Sequence, residues 1–529
     1  MSCLSVRSSF FNRLVLIAFV WQTICPTFVF ADFTRTQPDA ALIEIHNAQK
    51  YLRLMVGVQD LDATNKQEQN SLTDKIREFN FMVPIGIITQ EDTQTYLNDF
   101  YKDSGYENIR IRDNGFSWSA YGLNFILQND GTLCVSPNRD VLEPSRNILL
   151  FNAHGSILLQ DNLSFDKLIL DGKDAKQQGN LRTQNLISNL KGHLFNEGHT
   201  ESQTLTLNGK SLVNTKTGTL TLAGAAELFC DKVQNDGALT FNGILKGSVN
   251  RFKNTGGLHT FGVSQLTGSK FTNEGIMNLH SAFLFDGKEF ITTDDSTINS
   301  TQDFSVQTTR QLTLRGNITI AAQYNTDGSP QKKAHASFKA PSIEHHAKIR
   351  VEKGTTRLNG DVTNYGTLDM DALEHTGNTI INNGDLQANT LNTNKTLSLL
   401  RNTGSFIARS GAYTTIKTQN TKLLSLANGR YHVGIFENAE QATLSLHSGA
   451  HMFVKDIINN GLMSSRTHYI LDSLRNMTKL GMVRADGDLI IKSTYIPTTA
   501  VPHTPEPAQS RNLSATASVA ERVTEIDEN

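Results

Sequence analysis

The chain contains little cysteine, proline or aromatic residue for its length. Of 529 residues, 4 are Cys and 11 are Pro, and aromatic residues make up 8%. A chain of this length exceeds one ordinary globular domain, so it contains either several domains or one elongated repetitive body. The composition favours the repetitive body.

An excess of positive charge is also absent. Lys plus Arg number 49 and Asp plus Glu number 51. Phosphate recognition normally needs a basic surface, so nucleic acid is not expected among the partners.

Acidic residues are missing from the start of the chain up to Asp32, where two arginines precede an apolar run from Leu14 to Trp21. This pattern predicts a signal peptide over residues 1–31, cleaved after Ala31. The run is too short to span a bilayer comfortably, although an uncleaved anchor is the alternative. We therefore expect an exported protein, extracellular or associated with the outer membrane at the cell surface, rather than periplasmic.

Cys134 and Cys230 remain after signal removal, in a compartment where a disulfide is chemically allowed. If both lie in one β-helix, about five coils or ~24 Å separate them, whereas a disulfide requires Cα atoms within about 7 Å. Both cysteines are predicted to be unpaired.

A triplet Asn-x-Gly recurs along the chain with a spacing of 18 to 21 residues between neighbouring copies, weaker copies included. The predicted repeat corners are Asn129 and Gly131, Asn196 and Gly198, Asn235 and Gly237, Asn254 and Gly256, Asn273 and Gly275, Asn364 and Gly366, Asn382 and Gly384, Asn402 and Gly404, and Asn459 and Gly461. Looser copies begin at Asn214, Asn420 and Asn438.

The residues around each triplet repeat as well. An apolar residue stands two positions before the asparagine, as at Val233 and Phe252, and a segment of alternating polarity follows the glycine, as in 237–241. Such alternation is typical of a strand with one buried face. A period near 19 residues suits one coil of a solenoid built from short strands. The predicted fold is an all-β, single-stranded right-handed parallel β-helix.

Glycine and asparagine each have a physical reason to stand at a corner. Glycine takes positive φ without steric cost, and asparagine tolerates the left-handed region, so the pair is expected to turn the chain. Stacking in register also places asparagine above asparagine, where side-chain amides can bond along the axis.

The triplet is missing from 276–361, but the distance from Asn273 to Asn364 is close to five repeats. We expect the helix to continue there with a loop near Asp327 to Ala336, where Gly, Ser, Pro, Gln and Lys cluster.

The predicted organisation has four parts. Residues 1–31 are the signal peptide, 32–110 a small helical or mixed capping domain, 111–496 the parallel β-helix, and 497–529 a disordered tail rich in Pro, Thr, Ala and Ser. A cap is useful because an open β-helix end exposes unpaired backbone.

Catalytic β-helices carry acidic clusters on one solvent-facing sheet. The best candidates are Asp294 with Asp295 and Asp369 with Asp371, but neither pair has an evident partner one coil away. The interpretation is therefore a solvated surface, and neither a catalytic residue nor an enzyme is predicted.

His345 and His346, with His335 nearby, are the only candidates for a metal site. Adjacent strand residues point to opposite faces, so the pair is expected to be exposed and not to chelate. Trp118 and the tyrosines do not recur at the repeat spacing, which argues against an aromatic platform for sugars. No metal or cofactor is predicted.

The units of apolar residue, x, Asn, x, Gly, followed by alternating Leu and Phe, resemble the repeats of filamentous-haemagglutinin-like exoproteins of two-partner secretion systems. The resemblance covers about 115–495. It implies a long extracellular shaft used for adhesion or for presenting a toxin, and export through an outer-membrane transporter. Residues 32–105 lack the Asn-Pro-Asn motif of that family's secretion domain.

The sequence thus predicts a non-catalytic structural or adhesive protein that binds a host-cell, neighbouring-cell or glycan ligand. The alternative is a carbohydrate-active β-helix enzyme, a polysaccharide lyase, hydrolase or tailspike-like depolymerase. Three or more acidic residues clustered on one sheet would favour the enzyme.

Overall fold

The computed structural model describes residues 58–60, 107–112, 115–120, 122–128, 132–138, 148–153, 155–321, 323–324, 330–465, 469–474, 476–485 and 489–493. The predicted signal peptide, most of the predicted capping domain, the tail after 496, Asn129 and Gly131 lie outside these residues. Within them, all regular structure is β-strand. The chain divides into two compact units, residues 1–179 and 180–529.

The strands of the first unit are β1 Val58–Asp60, β2 Glu107–Arg112, β3 Gly115–Ala120, β4 Leu123–Gln128, β5 Leu133–Pro137, β6 Ile148–Asn152, β7 Ile157–Leu159, β8 Asn162–Gly172 and β9 Ala175–Gln177.

The strands of the second unit are β10 Asn180–Leu190, β11 His193–Asn196, β12 His199–Asn214, β13 Thr219–Leu222, β14 Ala226–Asn235, β15 Ala238–Phe241, β16 Leu245–Asn254, β17 Gly257–Thr260, β18 Ser264–Asn273, β19 Ile276–Leu279, β20 Phe283–Thr292, β21 Thr297–Ser300, β22 Phe304–Leu314, β23 Asn317–Ala321, β24 Gln323–Tyr324, β25 Pro330–Lys332, β26 His335–His345, β27 Lys348–Asn364, β28 Thr367–His375, β29 Thr379–Asn382, β30 Asp385–Thr393, β31 Leu397–Asn402, β32 Ser405–Ala408, β33 Gly411–Asn420, β34 Leu423–Leu426, β35 Gly429–Asn438, β36 Thr443–Leu446, β37 Ala450–Ser465, β38 Tyr469–Leu474, β39 Asn476–Ala485 and β40 Leu489–Ser493.

The first unit begins with antiparallel strands. β2, β3, β4 and β5 pair antiparallel in sequence order, and parallel pairing starts where β5 meets β7 and β6 meets β8. The parallel helix was expected to start at residue 111, and for the segment up to β5 that expectation is wrong. The reason is that alternating polarity marks one buried face but does not reveal strand direction.

The second unit is a parallel β-solenoid with coils of about 19 residues, which confirms the predicted parallel architecture and repeat. In each regular coil a ten-residue strand ends at the corner asparagine, and a four-residue strand follows the corner. The next coil repeats this in register, so that Ala238 pairs with Gly257 and Asn235 with Asn254. Direct stacking explains why one residue type can recur at one position over many coils.

The core is formed by columns of apolar side chains, one from each coil. The column two residues before the corner contains Val233, Phe252, Phe271 and Phe290, all buried. The rings of Phe252 and Phe271 stack at 4.8 Å between centroids, and those of Phe271 and Phe290 at 5.0 Å. Burial of stacked rings stabilises coil upon coil because each aromatic side chain removes a large apolar area from water.

The corner asparagines form a buried ladder of amide hydrogen bonds, as expected from their stacking in register. Nδ2 of Asn235 donates to Oδ1 of Asn254 at 2.6 Å, and Nδ2 of Asn254 to Oδ1 of Asn273 at 2.7 Å. The second amide hydrogen of Asn235 bonds the Gly257 carbonyl at 2.8 Å. Similar bonds link consecutive asparagines from Asn196 to Asn273 and from Asn364 to Asn459. Each internal amide is satisfied by protein groups.

The expected reason for the corner glycines is wrong. Among the described glycines, positive φ is found at Gly122, Gly316, Gly360, Gly411 and Gly449, and at none of the predicted corner positions. The actual reason is close stacking of backbones: a Cβ at Gly256 would lie 2.0 Å from the Gly237 carbonyl oxygen. Glycine is present because the next coil leaves no room for a side chain.

The segment without triplets continues the solenoid, with a correction to its coil number. The ladder column passes from Asn273 through Thr292, Leu314 and His345 to Asn364, which is four steps and not five. The extra length lies between β23 and β26, where β24 and β25 pair antiparallel as an insertion. This insertion overlaps the predicted loop.

Cys134 and Cys230 are both buried and no disulfide joins them, as predicted. Burial raises the pKa of the Cys230 thiol to about 11, so this thiol is protonated and unreactive at neutral pH.

The ladder predicts a specific cost for losing one asparagine. Asn254→Ala leaves the Asn235 amide and the Asn273 carbonyl oxygen without their partners in the ladder, at a cost of about 2–4 kcal/mol. Thermal unfolding followed by circular dichroism should show a clear drop in melting temperature. Asn278→Ala removes a more accessible asparagine one coil on and should change stability by less than about 0.5 kcal/mol. Equal effects of the two substitutions would contradict a stabilising ladder.

Substitution of two neighbouring glycines distinguishes a clash with the backbone from a clash with a side chain. A Cβ at Gly256 meets backbone, whereas at Gly257 it meets only the tip of the His259 ring, at 3.0 Å. Gly256→Ala is therefore expected to destabilise the protein by about 1–3 kcal/mol, and Gly257→Ala by much less. Chemical denaturation of the two variants measures the difference, and the reverse order of stability would disprove the steric explanation.

Candidate functional site

The predicted acidic candidates do not form a common site. Asp294 and Asp295 lie exposed at a corner between β20 and β21, with Asp294 3.8 Å from the guanidinium of Arg315. Asp369 and Asp371 lie on β28, on neighbouring outward positions. Asp369 is 3.9 Å from Arg350, and Asp371 accepts a hydrogen bond from Asn389 at 3.1 Å. Each of these three aspartates, Asp294, Asp369 and Asp371, thus contacts a polar side chain of a neighbouring strand or corner.

The predicted histidine cluster is separated by the fold. His346 is half-buried, 2.7 Å from Glu344, and its ring stacks on Tyr365 at 4.5 Å. His335 is exposed. His345 points inward and is buried, which corrects the expectation that it is an exposed polar residue. The opposite orientation of adjacent strand residues, which was predicted, is the cause.

His345 occupies a position of the asparagine column. Its Nδ1 bonds Oδ1 of Asn364 at 2.5 Å, while Nε2 is buried without a partner among the described residues. Burial lowers the pKa of His345 to about 4, the bond to Asn364 opposes this shift, and the charge of neighbouring His346 adds to it. His345 is thus a neutral ladder member at neutral pH.

A hydroxyl, imidazole and carboxylate meet on the short-strand face at the start of the second unit, an arrangement that sequence reading missed. Nδ1 of His199 contacts Oγ1 of Thr219 one coil on, and its Nε2 lies 2.8 Å from Glu201. Glu201 also pairs with Arg182 at 3.0 Å. The hydrogen bond from His199 lowers the pKa of Glu201 against the opposing effect of burial, and Arg182 lowers it further.

The surroundings of this cluster lack a feature that acyl transfer needs. The backbone N–H of Thr219 donates to the Gly198 carbonyl at 2.9 Å, and that of Gly218 to the Thr215 carbonyl at 2.8 Å. The first of these donors is therefore occupied in coil stacking and the second in the local turn, and neither is available to stabilise an oxyanion. The cluster is best described as a surface hydrogen-bond row.

A groove lined mainly by polar residues runs beside the asparagine corner in the later coils. Its volume is about 480 Å³, and it is lined by outward side chains of consecutive coils, among them Arg401, Gln419, Glu437, Ile458 and Asn460. We call this the corner groove. It lies directly outside the ladder, so the buried amides fix the coils that present its lining.

The lining of the corner groove is a hydrogen-bonded row. Nε of Arg401 donates to Gln419 at 3.1 Å, and Nε2 of Gln419 donates to Glu437 at 2.7 Å. Lys417 closes the row at 2.6 Å from Glu437. Burial raises the pKa of Glu437, but the bonds from Lys417 and Gln419 outweigh it and leave the pKa below its usual value. The row is held in place before any ligand arrives.

The short strands of several earlier coils form an outward face without formal charge. Residues 218–225, 237–244, 256–263 and 275–282 contain no Asp, Glu, Lys or Arg, and the equivalent stretch of the next coil is uncharged up to Asp303. Four large apolar residues are exposed there: Ile244 by 45%, Phe261 by 50%, Val263 by 49% and Ile276 by 49%. We call this the uncharged face.

The described residues include no group of three or more His, Cys, Asp or Glu that could hold a metal ion. In the same part of the chain, no helix is long and apolar enough to cross a membrane.

Sequence reading located the corner residues but missed both the corner groove and the uncharged face. The signal for each was present once the coils are aligned. The residues immediately before successive corner asparagines are Arg401, Gln419 and Glu437. The uncharged face corresponds to repeat positions that lack charged residues in successive coils. Both surfaces are formed by residues one repeat apart, so they are not evident from neighbours in the sequence.

Comparison with known proteins yields no relative. No protein-family model matches the chain, and neither a curated protein nor a solved structure matches it significantly.

The ladder histidine predicts a pH dependence of stability. The folded-state pKa of about 4 lies below the unfolded value of about 6.5, so the unfolded chain binds more protons between these values. Stability is fully present above pH ~6.5 and falls as the pH is lowered toward 4, by on the order of 3 kcal/mol. His345→Asn keeps a donor to Asn364 without a titrating group.

Melting temperatures measured from pH 7 to pH 4 should fall less in His345→Asn than in the native chain. The melting temperature of the variant should still fall somewhat as the pH is lowered, because burial also lowers the pKa of His375. Parallel curves for the two proteins would show that His345 does not titrate in this way.

Proposed function

We propose that this is an exported, non-catalytic protein with a structural or adhesive role at the cell surface or outside the cell, and that its corner groove binds a hydroxyl-rich glycan. The N-terminal sequence pattern supports export. The observation that carries the binding role is the preorganised polar row of Arg401, Gln419 and Glu437 along the groove.

The chemistry of the groove suits a sugar chain. Planar amide, guanidinium and carboxylate groups offer paired donors and acceptors of the kind that neighbouring sugar hydroxyls use. These groups recur at the coil spacing of ~4.8 Å, so a chain ligand with regularly repeated hydroxyls can meet the same pattern on successive coils. Ile458 adds an apolar contact for a ring face.

Several features favour binding over catalysis. The acidic candidates Asp294 and Asp369 lie beside arginines, and the backbone donors at Thr219 are engaged in coil stacking and in a turn. Coils with satisfied backbone and stacked side chains supply a rigid scaffold, which reduces the ordering cost of binding a flexible ligand.

The test is glycan-array and host-cell binding by the purified chain. Arg401→Ala and Gln419→Ala each remove one hydrogen-bonding group from the groove and are expected to weaken binding about tenfold, since one hydrogen bond to the ligand contributes about 1.4 kcal/mol. Arg357→Ala is the matched control, because Arg357 is an exposed arginine paired with Glu374 on other strands. It should leave binding unchanged.

Fractionation of native cells, with protease treatment of intact cells, tests the location. We expect the protein outside the inner membrane and accessible to protease. Confinement to the cytoplasm would contradict the proposal, as would glycan binding that is equally strong in the Arg401 and Gln419 variants. If the protein cleaved a bound polysaccharide, the enzyme alternative would be correct and this proposal wrong.

A further inference from the structure

The uncharged face differs from the rest of the surface in the same coils. Over the coils that contain β13, β15, β17, β19 and β21, charged residues stand on the long strands and at the asparagine corner, as at Lys232, Lys253 and Glu274. The short strands β13, β15, β17 and β19 and the turns that follow them carry none, and the turn after β21 carries Asp303. Charge therefore changes with position within the coil and not along the axis.

The apolar residues of this face lie close together because the coils stack in register. Ile276 follows Gly257 and Ala238 in one outward column of the short strands. Phe261 lies at the turn after β17, and its ring stacks on His280 of the next coil at 4.4 Å and 7°. Ile244 and Val263 immediately precede Leu245 and Ser264, which are paired between neighbouring coils. Ile244, Phe261 and Val263 thus lie together at this turn, and Ile276 lies at the other end of the short strand.

The amide and hydroxyl groups of the face are neutral and occur as both donors and acceptors. Asn278 Nδ2 lies 3.1 Å from Nδ1 of His259, and Asn299 donates to Asn278 at 2.9 Å. Burial, followed by the nearby charge of His280, lowers the pKa of His259, so its ring is neutral at pH 7. A row of amides and hydroxyls can bond an identical row that runs in the opposite direction.

We propose that the uncharged face is a self-association surface, on which a second copy of this chain docks through the same face about a two-fold axis. A partner with charged groups would lose their hydration against this face without gaining an ion pair. A second copy brings no charge, and each copy covers the exposed Phe261, Val263, Ile244 and Ile276 of the other. A two-fold contact needs only one self-complementary patch.

The size of the face sets the expected strength. Four coils at ~4.8 Å and a strand with its turn, about 25 Å across, give about 500 Å² per copy. This is below the ~800 Å² per partner of a standard stable interface, so the dimer is weak and reversible. Display of many copies on one surface would strengthen the contact through multivalency.

The experiment is sedimentation velocity of the full-length protein over a wide concentration range. We expect a monomer–dimer equilibrium in the native chain and at least a tenfold weaker dimer in Phe261→Glu and in Val263→Glu. Ile416→Glu is the matched control, since Ile416 is 58% exposed and lies outside the face. It should dimerise like the native chain. Circular dichroism melting confirms that each variant is folded.

A native chain that remains monomeric at all concentrations would overturn the proposal, as would a dimer that survives both glutamate substitutions. If the monomeric chain instead bound neutral lipid vesicles and lost this binding in Phe261→Glu, the occupant of the face would be a membrane and the self-association proposal would be wrong. Glycan binding by the corner groove is measured separately, so either proposal can fail without the other.

Discussion

The structure depends on one interaction, the hydrogen bond between side-chain amides of asparagines in successive coils. An amide buried without partners is costly, whereas an amide that both donates and accepts along the axis is satisfied inside the protein. Asn254 illustrates this, since it accepts from Asn235 and donates to Asn273. A shift of one coil by a single residue would leave two amides unpaired and would move the apolar columns to the surface. The ladder thus enforces register together with the core.

That register determines the surface as well as the interior. Because each coil presents the same positions outward, a property that recurs at one position becomes a continuous feature of a face. The row formed by Arg401, Gln419 and Glu437 and the absence of charge around Phe261 are both products of this repetition. The corner groove contains ionised side chains and the uncharged face has none, so the two offer surfaces of different chemistry on one scaffold.

The parallel solenoid, its period and the asparagine stacking could be predicted from sequence, because each depends on a local pattern repeated many times. The role of glycine could not, since the contact of Gly256 with the Gly237 carbonyl joins residues 19 positions apart. The antiparallel pairing of β2 to β5 was missed because alternation carries no strand direction. His345 was misjudged because its place in the asparagine column is visible only after the insertion before β26 is discounted. The two candidate binding surfaces required the coil alignment for the same reason.

Hydrogen exchange of the corner amides, resolved along the chain, tests the role of the ladder most directly. The amides of Thr255 and Gly256 donate to the carbonyl of Asn235, and equivalent bonds recur at the other asparagine corners. These amides should exchange as slowly as those within the strands. The corners at 293–296 and 315–316, where Thr292 and Leu314 replace asparagine, should exchange faster. Equal exchange rates at all corners would contradict the account, because the asparagine ladder would then have no part in holding the coils together.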